Sequence, residues 1–175
     1  MVGLLGLMLL TDARRAARTT AEGDLVLLAD QDRGRWNAEL VAEGRAIVRD
    51  CLRRGRPGPY QIQAAINAVH TDAGPTDWAQ IVALYDQLLA IAPSPVAALH
   101  RAVAVAEVDG AEAALAIVAG LRLDRYHLYH SVRADLLRRL GRDAEAARAY
   151  DEAIARTANA AECRFLRRRR AELGG

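Results

Sequence analysis

The residue types most capable of chemistry fall in four places. The first is Asp30-Gln31-Asp32-Arg33-x-x-Trp36. An Asp-x-Asp pair can hold Mg²⁺ or accept hydrogen bonds from a partner's arginine. The same order also suits a helix start, with Asp32 as the cap, Arg33 pairing locally and Trp36 anchoring the core. The second is Gly58-Pro59-Tyr60-Gln61-x-Gln63. Proline in a first turn starts a helix, and Tyr60 and Gln63 are candidates for a groove formed with the preceding helix. The third is His127 and His130, three apart beside Tyr126 and Tyr129. That spacing can bind a metal, yet a third ligand is not evident. Aromatic packing with solvent-facing imidazoles is the expectation. The fourth is the run Arg164, Arg167, Arg168, Arg169 and Arg170. It suits the C-terminal end of a helix dipole, or docking on an acidic protein or nucleic acid. Nucleic-acid readers add aromatic or base-reading groups that are missing here, so DNA contact by this domain alone is not expected.

Composition removes whole classes of activity. All 24 basic residues are arginine, since lysine does not occur. A Walker-type phosphate lysine, a Schiff-base lysine and a Ser–Lys dyad are therefore excluded. The two serines, Ser94 and Ser131, lie outside any nucleophile-elbow sequence. An enzyme is not expected, nor is a cofactor or a bound metal. Residues 1–120 carry 11 arginines against 14 acids, and residues 121–175 carry 13 against 8. The C-terminal third is thus mildly basic and suited to an acidic surface. Cys51 and Cys163 are far apart without metal-like spacing and read as small buried residues of a reducing, cytoplasmic protein. The apolar start, Met1–Leu10, has no basic leader and is too short to span a bilayer. It reads as the beginning of a buried helix.

The elements that must position these residues are helices. Hydrophobic residues make up 52% of the chain and aromatics only 5%, which favours alanine- and leucine-rich helix seams over strands. A first helix is expected over about 2–18. A second, capped by Asp30 or Asp32, carries Trp36, Leu40, Gly44, Ile47 and Cys51 on one face, with Gly44 marking a close crossing. Further helices are expected at 59–71, 76–92, 95–108, 111–120, 126–140, 143–157 and 160–173, divided by Gly74-Pro75, Pro93-Ser94-Pro95, Asp109-Gly110 and Gly141. Short connections make neighbours antiparallel. Ala134, Gly141, Ala146, Tyr150 and Ala153 follow the tetratricopeptide (TPR) order of small and aromatic residues, and Ile81, Tyr85, Leu88 and Pro93 follow it more loosely. The expected fold is all-α: about nine helices in antiparallel hairpins, stacked as a TPR-like right-handed array. It forms a single domain in which residues 1–58 pack on hairpins built from 59–175.

The order of several uncommon words resembles the C-terminal extension of a group of extracytoplasmic-function (ECF) RNA polymerase sigma factors. Those words are Leu4–Arg18, Leu25–Trp36, Arg54–Val69, Thr76–Leu88, Ser94–Ala106 and Tyr126–Leu173, so the resemblance covers nearly the whole chain. It implies a TPR-like helical domain that follows two promoter-recognising domains and contacts them, the polymerase or a signal partner. This chain holds neither the helical region for the −10 element nor the helix-turn-helix for the −35 element. It is therefore expected to be a fragment or a detached extension. A free-standing adaptor that binds peptides is the other expectation. No membrane partner is expected.

Overall fold

The computed structural model describes residues 2–55, 57–72 and 74–173. The protein is all-α, and no strand occurs among the described residues. Among the described residues nine α-helices follow in order: α1 Val2–Asp12, α2 Ala38–Arg53, α3 Pro59–Val69, α4 Trp78–Ile91, α5 Pro95–Val108, α6 Ala111–Ala119, α7 His127–Arg139, α8 Asp143–Arg156 and α9 Ala160–Ala171. Three single 3-10 turns, Arg15–Ala17, Leu28–Asp30 and Arg33–Arg35, fill the stretch between α1 and α2. The chain divides into two compact units. One comprises Met1–Glu22 and Val26–Pro93, the other Gly23–Leu25 and Ser94–Gly175. No helix among the described residues is long and apolar enough to cross a membrane.

In the first unit α1 packs on both α2 and α3, and α3 packs on α4. The approach of α1 to α2 is set by glycine. A Cβ on Gly44 would stand 2.7 Å from Leu10 Cγ, and one on Gly6 would stand 3.0 Å from Ile47 Cγ2. The close crossing expected at Gly44 is therefore present. Leu10, Val48, Ala64 and Ala65 form the buried centre, with Leu7, Ala68 and Leu84 packed against it. Complete burial of a leucine such as Leu10 contributes about 1.5–3 kcal/mol.

Both ends of the α1–α2 connection differ from the sequence expectation. α1 stops at Asp12 and not near Arg18. The Ala13 carbonyl accepts the Asn37 N–H at 2.9 Å, while the Arg18 guanidinium donates to the Thr11 carbonyl. Long-range partners thus satisfy the groups that a longer helix would have used. α2 starts after Asn37, whose side chain accepts from the N–H groups of Glu39 and Leu40, both at 3.1 Å. Asp32 instead caps the Arg33–Arg35 turn, accepting from Gly34 N at 2.8 Å. Trp36 consequently lies outside α2, half-buried.

In the second unit consecutive helices pack on each other from α5 to α9. Positive φ at Gly110 (90°) and Gly141 (69°) makes the sharp reversals before α6 and α8, a conformation that a side chain resists. Ala134, Leu137, Ala146, Ala149, Tyr150, Ala153 and Leu166 form one buried cluster. Small residues on α7 and α8 let the two backbones come together around the Tyr150 ring. The imidazoles of α7 do not face solvent as expected. His130 is 9% exposed, with Nε2 2.8 Å from the Asp124 carbonyl. His127 Nε2 sits 3.1 Å from a Glu162 carboxylate oxygen, within ion-pair range but not aligned as a hydrogen bond. The aromatic packing is present, with Tyr129 edge-on to His130.

Candidate functional site

The residues that converge on a cavity lie in the first unit. A cleft of about 570 Å³ is lined by Arg33, Trp36, Ala38, Val41, Ala42, Arg45, Arg49 and Thr71. That volume lies within the roughly 300–1,000 Å³ typical of ligand sites. The Arg33–Arg35 turn brings Arg33 and Trp36 to one wall. α2 supplies a stripe in which Ala38, Val41/Ala42, Arg45 and Arg49 recur every three or four residues. The segment just after α3 closes the far side with Thr71.

The electrostatics of the cleft are lopsided. Arg33 donates to the Asp72 carbonyl at 2.6 Å. Arg45 donates to the Thr71 carbonyl at 3.2 Å and pairs with the Asp72 carboxylate. Both thereby neutralise the negative end of the α3 dipole. Arg49 is exposed and has no ion-pair partner among the described residues. Of the three guanidinium groups, Arg45 alone is paired with a carboxylate among the described residues. The Arg33 guanidinium also stacks on the Trp36 ring, 5.3 Å from its centroid, which holds both side chains in place. Trp36 Nε1 is buried without a hydrogen-bond partner among the described residues.

A neighbouring histidine registers the same field. His70 caps the end of α3 and lies edge-on to Trp78, 5.5 Å between ring centroids. Burial, then the charges of Arg14 and Arg33, push its pKa down to about 4, so it is neutral at pH 7. Arg14 is itself drawn below the usual arginine value, first by burial and then by Arg18. It donates to Asn67 Oδ1 at 2.7 Å and pairs with no carboxylate among the described residues.

Of the residues singled out in the sequence, Arg33 and Trp36 meet in the cleft. Asp32 is occupied as a cap, and Asp30 ends an exposed 3-10 turn. Tyr60 is half-exposed on the first turn of α3, and the Gln63 carbonyl accepts from Asn67. Neither lines the cleft. Gln61 caps α3 instead, its Oε1 accepting from Gly58 N at 3.1 Å. Arg45 and Arg49 were not singled out. Their one-turn spacing was visible in the sequence, but only the arrival of the α3 end opposite them makes a site. Among the described residues no group of three or more His, Cys, Asp or Glu is placed to hold a metal ion.

Residues 1–52 match the model of a family of unknown function, DUF6596. That match contains Arg33, Trp36, Arg45 and Arg49. An uncharacterized protein of Rhizobium meliloti (strain 1021) is 48% identical over 172 residues, which is 95% of this chain and 41% of that protein. The chain thus spans well under half the length of this relative. No solved structure matches it significantly.

The arginine run of α9, in the second unit, is arranged differently. Arg164 bonds to Asp24 at 2.7 Å and to the Gly23 carbonyl at 2.8 Å, while Arg168 reaches the same carboxylate at 3.8 Å. Arg170 chelates Asp151 through bonds of 2.5 and 3.0 Å. Arg169 pairs with Glu172 at 3.2 Å and lies over Phe165 at 5.5 Å. Arg167 is exposed. Most of the charge expected to dock a partner is therefore answered within the unit.

Proposed function

We propose that this chain is a regulatory protein-interaction domain of an ECF-type sigma factor, acting in transcription initiation through contact with the sigma domains, the polymerase or a signal partner. The observation that carries the proposal is the convergence of Arg33 and Trp36 on a cleft. Both belong to the Leu25–Trp36 word, the most distinctive part of the resemblance. The all-helical stack agrees with the implied TPR-like extension, and the buried Ala134–Tyr150–Ala153 seam is what a TPR-like hairpin requires. Alignment of nearly the whole chain to a minor part of a longer relative suits a module that works beside other domains.

The test is transcription from the promoters served by the parent polypeptide, with and without residues 1–175. The expected result is an altered output while the remainder stays folded. Equal output from both forms rejects the reading. A second reading, a free-standing peptide adaptor, draws on a separate observation: the cleft is complete within residues 33–71 and needs no other domain. It predicts peptide binding without any change in transcription. As a non-enzymatic reading it also predicts no turnover in a substrate screen.

A further inference from the structure

We infer that the Arg33–Trp36–Arg45–Arg49 cleft is a docking site for an acidic segment of a partner protein, presenting two carboxylates one helical turn apart beside an apolar side chain. The inference rests on the interaction-domain reading above and specifies the partner's chemistry. Arg45 and Arg49 are four residues apart on α2, which places their Cβ atoms about 6 Å apart on one face. A helical segment with Glu or Asp at i and i+4 presents its charges at the same spacing. Guanidinium groups bind carboxylates through parallel N–H donors. Among the described residues Arg49 has no ion-pair partner, and Arg33 makes one hydrogen bond, to a backbone carbonyl, beside its stacking on Trp36. Between these cations lie Ala38, Val41, Ala42 and the Trp36 ring, an apolar floor for a leucine or phenylalanine side chain.

Charge complementarity selects a short acidic segment over a polyanion. The first unit contains 10 arginines and 10 acids by sequence, so it carries no net positive charge for an extended polyanion. Nucleic-acid binding relies on many phosphate contacts along an extended basic path. On α2 itself, Glu39, Glu43 and Asp50 fall on the adjacent face by the 100° step of the helix, bounding the stripe with negative charge. One carboxylate, that of Asp72, already pairs with Arg45. An incoming segment would extend that pattern to Arg49 and Arg33.

The experiment uses the full 175-residue chain carrying Trp78→Phe, so that Trp36 alone reports by fluorescence, with calorimetry in parallel. The probes are a short peptide with two Glu one turn apart flanking a Phe, its Gln counterpart, inorganic phosphate and a single-stranded oligonucleotide. The Glu peptide is expected to shift Trp36 emission and to bind at least about tenfold more tightly than the Gln form. Arg49→Ala is expected to weaken it by about tenfold, and Arg167→Ala to leave it unchanged. Because Arg49 is exposed, loss of fold does not confuse its result. Equal binding of the two peptides, no binding of either, or an unaffected Arg49→Ala variant overturns the inference. So does phosphate or oligonucleotide binding as tight as the Glu peptide. A chain that alters transcription yet ignores the peptide rejects the cleft assignment alone. One that binds the peptide but leaves transcription unchanged rejects only the sigma-factor reading.

Discussion

On α9, Arg164 and Arg168 share Asp24, Arg170 faces Asp151 and Arg169 faces Glu172. Around the cleft, among the described residues, Arg45 pairs with Asp72, Arg33 bonds only to the Asp72 backbone carbonyl and Arg49 has no carboxylate partner. The denser cluster in sequence is thus the more neutralised in space. A run of like charges reports what the local chain carries, whereas available charge depends on carboxylates supplied from elsewhere. Asp24 and Asp151 lie far from the run they answer. The cleft arises the opposite way: Arg45 and Arg49 are spaced along α2, Arg33 comes from the turn before it, and among the described residues few acids pair with them.

The largest effect expected from a single change concerns the scaffold that holds the cleft open. Gly44→Val drives a side chain into the fully buried Leu10. It should destabilise the chain by about 1–3 kcal/mol and weaken cleft binding, while the α9 pairs persist. Thermal unfolding with peptide titration checks this; a neutral result would mean that α1 can slide on α2 without disturbing the cleft.

Next in size is a dependence on pH. Folded His70 stays neutral down to about pH 4, whereas its unfolded form takes up a proton below about 6.5. Stability contributed by the neutral ring is complete above pH 6.5 and is lost as pH falls from 6.5 toward 4. Between pH 7 and 5 the melting temperature should drop by about 2–4 °C on this account, allowing for partial exposure. His70→Gln should reduce that drop. An unchanged slope would show that burial, with Arg14 and Arg33, does not hold the His70 pKa down.

Smaller effects separate the two arginine groups directly. Arg164→Ala removes an ion pair and a carbonyl bond and should cost about 0.2–1 kcal/mol, more at low salt than at high. Arg49→Ala should alter stability by less than about 0.5 kcal/mol, since no partner is lost. Denaturant midpoints of the two variants measure the contrast; equal losses would erase the distinction between a structural and an available arginine.

The helical architecture was largely readable because breakers mark its joints. Pro59 and Pro95 open helices where expected, and Gly110 and Gly141 turn the chain. Near α1 and α2 the reading slipped. The Ala13 carbonyl is closed by Asn37, a partner that no local pattern reveals, and Asp32 and Asn37 offered competing caps. Asn37 prevails because the Arg33–Arg35 turn consumes Asp32 first. For the site, Arg33 and Trp36 stood out through an unusual local word. Arg45 and Arg49 looked like any solvated helix face until Asp72 came to lie against Arg45. The buried imidazole of His130 and the half-buried one of His127 were also hidden, because the Asp124 carbonyl and Glu162 come from neighbouring segments.

The bond from Asn37 N–H to the Ala13 carbonyl joins the last turn of one helix to the cap of the next. Its amide can exchange with deuterium only when that junction parts, so its protection should follow the docking of α1. A single resonance would then time the assembly of the first unit.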